Sequence, residues 1–488
     1  MNAATHRVLC ISLAGCMWLA GLLTANAQSD IQILPDTPDW IFSPTNSSSY
    51  FGYVVDSAGD VNGDGYDDVV VGTRNGNRGV FAFYGAPNGL STNVDWAYNP
   101  EVPSSWLLGR TLAGGGDVDG DGFDDLLIGA TGRLGASGDG YAYLVYGSET
   151  GLTNSAAWMA SGGGEAGDLE KGFGVSLDFA GDINRDGFDD VIIGASSYPN
   201  TSGGEGQAFV FYGSETGLAT TADVVLNGTS NEDTRFGTDV SAAGDVNGDG
   251  YDDVIVGEPF YRTLKGITDP SNGRVYIYAG SSNGLITTPL TTIDGEYSRF
   301  SGSTFFGWHL TAAGDVNGDG YDDILVAAKQ INLTAANSFE GRVYAFLGGA
   351  SVDYTNATEA QWQYDGDFKR FLGNVVAGGD ANGDGYSDVM LGQYGPLGSR
   401  TAHYRVFPGS PAGLASSAAW SWTNRLDSVI RMTGAFAGDI NRDRNDDLII
   451  GNAYWDVPLP GLENNEGDAI VFYGITSHTL SGVILEVR

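Results

Sequence analysis

The sequence predicts an all-β fold, a seven-bladed β-propeller of four-stranded blades. Three observations predict it. An acidic nonapeptide of the form "DVNGDGYDD" recurs seven times, each copy runs straight into a short apolar strand, and no stretch shows sustained 3.6-residue periodicity. The copies begin at Asp60, Asp117, Asp182, Asp245, Asp315, Asp380 and Asp439, at intervals of 57, 65, 63, 70, 65 and 59 residues.

Each repeat carries its elements in the same order. An apolar-Gly pair precedes the first five acidic loops by nine residues: Phe51-Gly52, Leu108-Gly109, Phe173-Gly174, Phe236-Gly237 and Phe306-Gly307. It slips to Leu372-Gly373 in the sixth repeat, and only Gly434 remains in the seventh. The strand after each loop is short and apolar, often closed by Gly, as in "VVVGT", "LLIGA", "VIIGA" and "LIIGN", a run consistent with burial on both faces. A second strand ends in an aromatic tail such as "GVFAFYG" or "YAYLVYG". A further strand is often marked by Trp: Trp40, Trp96, Trp158, Trp362 and Trp420. About four short strands per repeat is the content of one propeller blade. Known propeller repeats run about 40–50 residues, so the extra length here lies in loops. A Trp-type strand, Asp39–Phe42, stands before the first loop, and the last repeat lacks an obvious copy. Asp39–Phe42 is therefore expected to complete the final blade and remove the open edge. The tail "GVILEVR" is the competing candidate.

The loops bring carboxylates together that would repel one another unless a cation sits among them. Side-chain oxygens at positions 1, 3, 5 and 9, with the backbone carbonyl of position 7, make an all-oxygen shell suited to calcium. The first loop offers Asp60, Asn62, Asp64, Tyr66 and Asp68. The second offers Asp117, Asp119, Asp121, Phe123 and Asp125, and the third Asp182, Asn184, Asp186, Phe188 and Asp190. The fourth and fifth offer Asp245, Asn247, Asp249, Tyr251 and Asp253, then Asp315, Asn317, Asp319, Tyr321 and Asp323. The sixth offers Asp380, Asn382, Asp384, Tyr386 and Asp388, and the seventh Asp439, Asn441, Asp443, Asn445 and Asp447. Up to seven Ca2+ ions are expected. An EF-hand loop would end in Glu at position 12, where the first copy has Val71, so each loop feeds a strand rather than a helix. Position 8 is Asp except for Ser387, which makes its carboxylate dispensable as a ligand. Position 6 is Gly except for Arg444, where a side chain resists the sharp turn.

Composition narrows the function. Glycine supplies 75 of 488 residues, about twice the usual share, as seven sets of tight turns require. Residues 1–27 read as an export signal: Arg7 ends a short basic region, Val8–Leu23 is largely apolar, and Ala25-Asn26-Ala27 fits a cleavage site. A transmembrane anchor would need a longer apolar run. The stretch "LAGC" resembles a lipoprotein box at Cys16 and leaves that alternative open. Cleavage after Ala27 removes both cysteines, so calcium rather than disulfides is expected to staple residues 28–488. With 22 basic against 61 acidic residues, the mature chain carries a formal charge of −39. That charge opposes binding to nucleic acid phosphates.

With its apolar-Gly pairs, acidic loops and "VGT"-type strand ends, the chain resembles the FG-GAP repeat proteins, whose best-known members are the N-terminal propellers of integrin α subunits. The resemblance covers roughly residues 39–474. It implies a seven-bladed ring with calcium in hairpin loops on one face and ligands engaged mainly on the other. Two departures stand out: all seven loops look competent for calcium, and no domain is inserted between the second and third repeats. The resemblance implies a secreted or surface-exposed interaction or adhesion module for an extracellular protein or glycan.

Candidate ligand-surface residues lie in or beside the variable connections after the "VGT"-type strands. They are Tyr198, Phe260, Tyr261, Arg262, Tyr394, Tyr454 and Trp455, aromatic and cationic types that anchor interfaces. The longest interval contains "EPFYRTLKGITDPSN", the first choice for a ligand loop. The alternative is an extracellular hydrolase or lyase built on the same ring. Against it, the three histidines left after export, His309, His403 and His478, are scattered, and His309 in "FGWHL" reads as an ordinary strand residue. No H-E-x-x-H zinc-protease motif occurs. Acids converging from different loops would be invisible at this level.

Overall fold

The computed structural model describes residues 33–475 apart from 45–49, 75–78, 101–105, 133–139, 163–171, 198–204, 229–233, 264–269, 299, 301, 336–337, 368–369, 396–400, 426–428 and 455–466. Seven four-stranded antiparallel sheets form the blades. The first strands of successive blades touch in order, and Val54–Gly59 of blade 1 touches Val429–Phe436 of blade 7, so the ring is closed. The closing strand is Trp40–Phe42, paired antiparallel with Asp468–Phe472 in the register Trp40↔Val471. The N-terminal segment thus completes the last blade, as its Trp pattern predicts. The competing tail lies outside the described residues.

Strand composition follows position in the blade. Second strands such as Asp68–Gly72, Asp190–Ala195 and Asp253–Glu258 are buried at every residue, because a neighbouring blade covers each face. Outer strands alternate instead: in Trp158–Ser161, Trp158 and Ala160 are buried while Met159 and Ser161 face solvent. Apolar burial is divided into seven clusters, and each cluster spans the seam between two adjacent blades.

Repeated hydrogen bonds reinforce the seams. The Trp indole N–H of five outer strands donates to a carbonyl across a seam: Trp40 to Ser91 (2.9 Å), Trp96 to Thr153 (3.1 Å), Trp158 to Ala219 (2.7 Å), Trp362 to Ala415 (3.0 Å) and Trp420 to Pro35 (2.9 Å). Where blade 4 has Thr291 in place of Trp, its hydroxyl donates to Tyr354 O of blade 5 at 2.6 Å. Because strand neighbours are antiparallel, the acidic loops between first and second strands emerge on one face of the ring. The connections between second and third strands, and those between blades, emerge on the other.

Candidate functional site

Each acidic loop is a cage built by its own backbone. Asp60 accepts Asp64 N–H on Oδ1 (3.0 Å) and Gly65 N–H on Oδ2 (2.7 Å), while Asp64 Oδ1 accepts Tyr66 N–H (3.1 Å). The bond from position 6 N–H to position 1 Oδ2 recurs in all seven loops at 2.7–2.8 Å. Position 6 takes a left-handed φ each time, from +85° at Gly65 to +93° at Gly187, and Arg444 is forced to +74°. Position 4 takes one too, so Arg185 (+61°) and Arg442 (+64°) are a further departure that the sequence reading did not flag. The seventh loop carries two such side chains.

Position 9 ties the loop to the sheet. Asp68, Asp125, Asp190, Asp253, Asp323, Asp388 and Asp447 are all buried, and each Oδ1 accepts the glycine N–H that follows the third strand, at 2.7–3.0 Å. Burial pushes their carboxyl groups up to about 7 at Asp253 and Asp323, and about 8 at the other five. In the second loop, ligand atoms of Asp117, Asp119 and Asp125 lie within 4.8 Å of one another. Three buried oxygens at position 3, Asp119 Oδ1, Asn184 Oδ1 and Asn382 Oδ1, have no hydrogen-bond partner among the described residues. Hard oxygen donors, those at positions 1, 5 and 9 held by backbone amides and three at position 3 unsatisfied, fit a calcium-sized cation.

Position 8 has a role the sequence reading missed. Its carboxylate crosses the seam and accepts the N–H of position 1 in the preceding blade: Asp124 from Asp60 (2.7 Å), Asp189 from Asp117 (2.9 Å), Asp252 from Asp182 (2.8 Å), Asp322 from Asp245 (2.9 Å), Asp446 from Asp380 (2.7 Å) and Asp67 from Asp439 (2.6 Å). At the seam between blades 5 and 6, Ser387 keeps the backbone bond to Asp315 O (3.1 Å) but brings no carboxylate. The near-invariance of position 8 within the chain was the available signal.

On the opposite face, the candidate ligand residues are partly taken up by packing. Phe260 lies 4.9 Å from Phe305 and 5.9 Å from Trp308, with the Arg235 guanidinium 4.3 Å above its ring. Tyr261 lies beneath the guanidinium of Arg274, 3.8 Å from its ring centre, and Arg274 pairs with Asp294. Arg262 is half-buried beside them. Tyr198 and Trp455 fall outside the described residues, and Tyr454 ends the strand Leu448–Tyr454.

Tyr394 reaches a feature that sequence alone does not reveal: a cavity of about 580 Å³ on the ring axis, lined from the first strands of all seven blades. Asp56, Asp178, Asp239 and His309 converge on it. Ser176 Oγ donates to Asp239 Oδ1 (2.8 Å), Leu310 N–H donates to Asp239 Oδ2 (2.9 Å), and His309 Nδ1 lies 3.5 Å from the same oxygen. Ser241 Oγ donates to Asp178 Oδ2 at 2.7 Å. Burial pushes Asp178 up to about 6, and burial together with the Asp178 charge raises Asp56 well above the usual carboxylate range. His309 is a strand residue, as expected, but one that faces the axis.

Comparison with known proteins agrees with this architecture. The FG-GAP repeat model matches residues 51–89, 108–145, 173–211, 236–278 and 306–346. Integrin alpha-6 of Gallus gallus is 35% identical over 158 residues, 32% of this chain and 13% of that protein. Integrin alpha-PS3 of Drosophila melanogaster is 36% identical over 159 residues, covering 32% and 13%. Integrin alpha-8 of Gallus gallus is 30% identical over 226 residues, covering 45% and 20%. The matched segments thus span a fifth or less of these integrin chains. A solved structure titled "Structure of Dos1 propeller" aligns over 90% of this chain and 78% of that one, at 12% identity and a TM-score of 0.40. Among the described residues no helix is long and apolar enough to cross a membrane. With five matched FG-GAP repeats, seven four-stranded blades and these integrin sequence relatives, the chain carries an FG-GAP-repeat β-propeller domain similar to that of integrin α chains.

Proposed function

We propose that the chain is an exported, calcium-stapled propeller that presents its opposite face to an extracellular protein or glycan. The observation that carries this reading is the division of labour between the faces. One bears seven near-identical oxygen cages, and the other bears the variable connections and the mouth of the axial cavity. The ligands would be the residues at positions 1, 3, 5, 7 and 9 of each loop. A bound cation would neutralise the carboxylates, and the chain's own backbone amides already hold those carboxylates in place. Residues 1–27 would direct export and residues 28–488 form the module, with lipidation at Cys16 the alternative route to a surface.

The test is a screen of extracellular proteins and glycans with calcium or with chelator. Binding confined to calcium-loaded protein supports the module. Turnover of a polysaccharide or phosphodiester would instead favour the enzyme reading, for which the convergence of Asp56, Asp178, Asp239 and His309 is the relevant geometry. Neither binding nor turnover with any partner would remove both readings.

A further inference from the structure

We propose that the axial cavity is a carbohydrate site that takes the end of a neutral pyranose chain, entering past Trp308. This rests on the interaction-module reading and gives it a location and a ligand class. Trp308, Phe260 and Phe305 form an aromatic wall at the mouth, with ring centres 4.9–5.9 Å apart. Of these, Trp308 lines the cavity itself. An indole beside a cavity offers a flat apolar face of the kind on which the C–H face of a pyranose rests.

Below the wall the lining turns polar. Ser176 and Ser241 orient the carboxylates of Asp239 and Asp178 by donating to one oxygen of each at 2.8 and 2.7 Å. A carboxylate has about four acceptor positions, so each keeps capacity for ligand hydroxyls after those bonds are made. Aromatic face above and hydrogen-bonded acceptors below match a ligand with an apolar ring face and a hydroxyl edge. The size agrees, since small-molecule sites run about 300–1,000 Å³.

Charge argues for a neutral ligand. The Lys329 ammonium lies 5.1 Å from the Trp308 ring centre and Arg235 caps Phe260, so a cationic ligand meets like charge at the mouth. An anionic ligand meets the carboxylates of Asp178 and Asp239 deeper in, which outnumber the one guanidinium on the lining, Arg110. A hydroxyl-rich, uncharged chain end is disfavoured by neither.

Calcium-loaded protein titrated with maltohexaose, cellohexaose, chitohexaose and mannohexaose tests this, read by saturation-transfer NMR and indole fluorescence. At least one should bind saturably. Trp308→Ala should weaken that binding tenfold or more, Trp308→Phe should recover part of the loss, and the isosteric Asp239→Asn should weaken it three- to tenfold at an unchanged melting temperature. If Trp308→Ala does not fold, the Phe and Asn variants carry the comparison. No binding by any of the four sugars, or binding indifferent to these substitutions, overturns the proposal. In either case a partner found in the wider screen leaves the module reading intact, whereas finding none in that screen removes both.

Discussion

Arg444 occupies a left-handed turn, at φ +74°, that glycine fills in the other six loops. Such strain costs about 1–3 kcal/mol, which amounts to roughly one to two decades in affinity if cation binding must sustain it. The seventh site should therefore be the weakest and the first to empty. Arg444→Gly should raise its calcium affinity and, in subsaturating calcium, the melting temperature. A titration giving seven equivalent sites would sink the argument. Arg442, at +64° in the same loop, adds a second strained position, and its guanidinium lies across the Tyr66 ring of blade 1 at 5.3 Å.

The buried position 9 carboxylates give a pH prediction. Without a cation their folded values stand near 7–8, above the ordinary value of about 4 for an unfolded Asp. The protonated form then favours the folded chain, fully below about pH 4, and this stabilisation is lost as pH rises through 7–8. In chelator the melting temperature should fall from pH 5 to pH 8.5. Calcium must displace those protons, so its affinity should rise over the same range and the gap between calcium and chelator melts should widen. Melts in chelator that are flat with pH would remove the argument.

At the scale of the element, position 8 makes the blade-to-blade clasp. Hydrogen bonds to charged groups contribute about 1.5–3 kcal/mol, so Asp252→Ser should destabilise the ring by about that much or somewhat less, since the group is partly exposed. Ser387→Asp should add a clasp at the one seam that lacks it and raise the melting temperature in calcium. An unchanged melt for both variants would show that the clasps carry no net energy. The loops, the blade number and the closing strand were legible because each rests on local pattern: nine-residue spacing, an apolar run, a Trp. The clasp was not, because its two ends lie 64–72 residues apart for Asp60–Asp124 and Asp117–Asp189, and nothing local marks the acceptor's target. The acids of the axial cavity were hidden for the same reason. Asp56 and Asp178 each sit in a first strand with no local mark of a site, and only ring closure brings them together. Phe260 and Tyr261 read as exposed because the residues that cover them, Trp308 and Arg274, come from other elements.

For the molecule as a whole, the proposed calcium sites and ring closure would act on one continuous ring. Every blade contributes to two seam clusters, so loosening any loop weakens its neighbours. Thermal melts in calcium and in chelator should differ clearly, because a ligand bound only by the native state adds to its stability. Superimposable curves would exclude a structural role for the cations. Deleting residues 28–42 should cost more than any single loop substitution, since it unpairs Asp468–Phe472 and withdraws Trp40 from the seam with blade 1.

The pairing of Trp40–Phe42 with the last blade also sets an order of events. Asp39 and Tyr473, joined by a 2.9 Å hydrogen bond, lie 434 positions apart along the chain. Contacts that distant form late and slowly, because the intervening chain must first be gathered. As the polypeptide emerges N-terminus first, its earliest structured strand must wait, unpaired, for the seventh repeat to arrive. A product missing its final repeat would leave that strand without its partner and the circle unsealed.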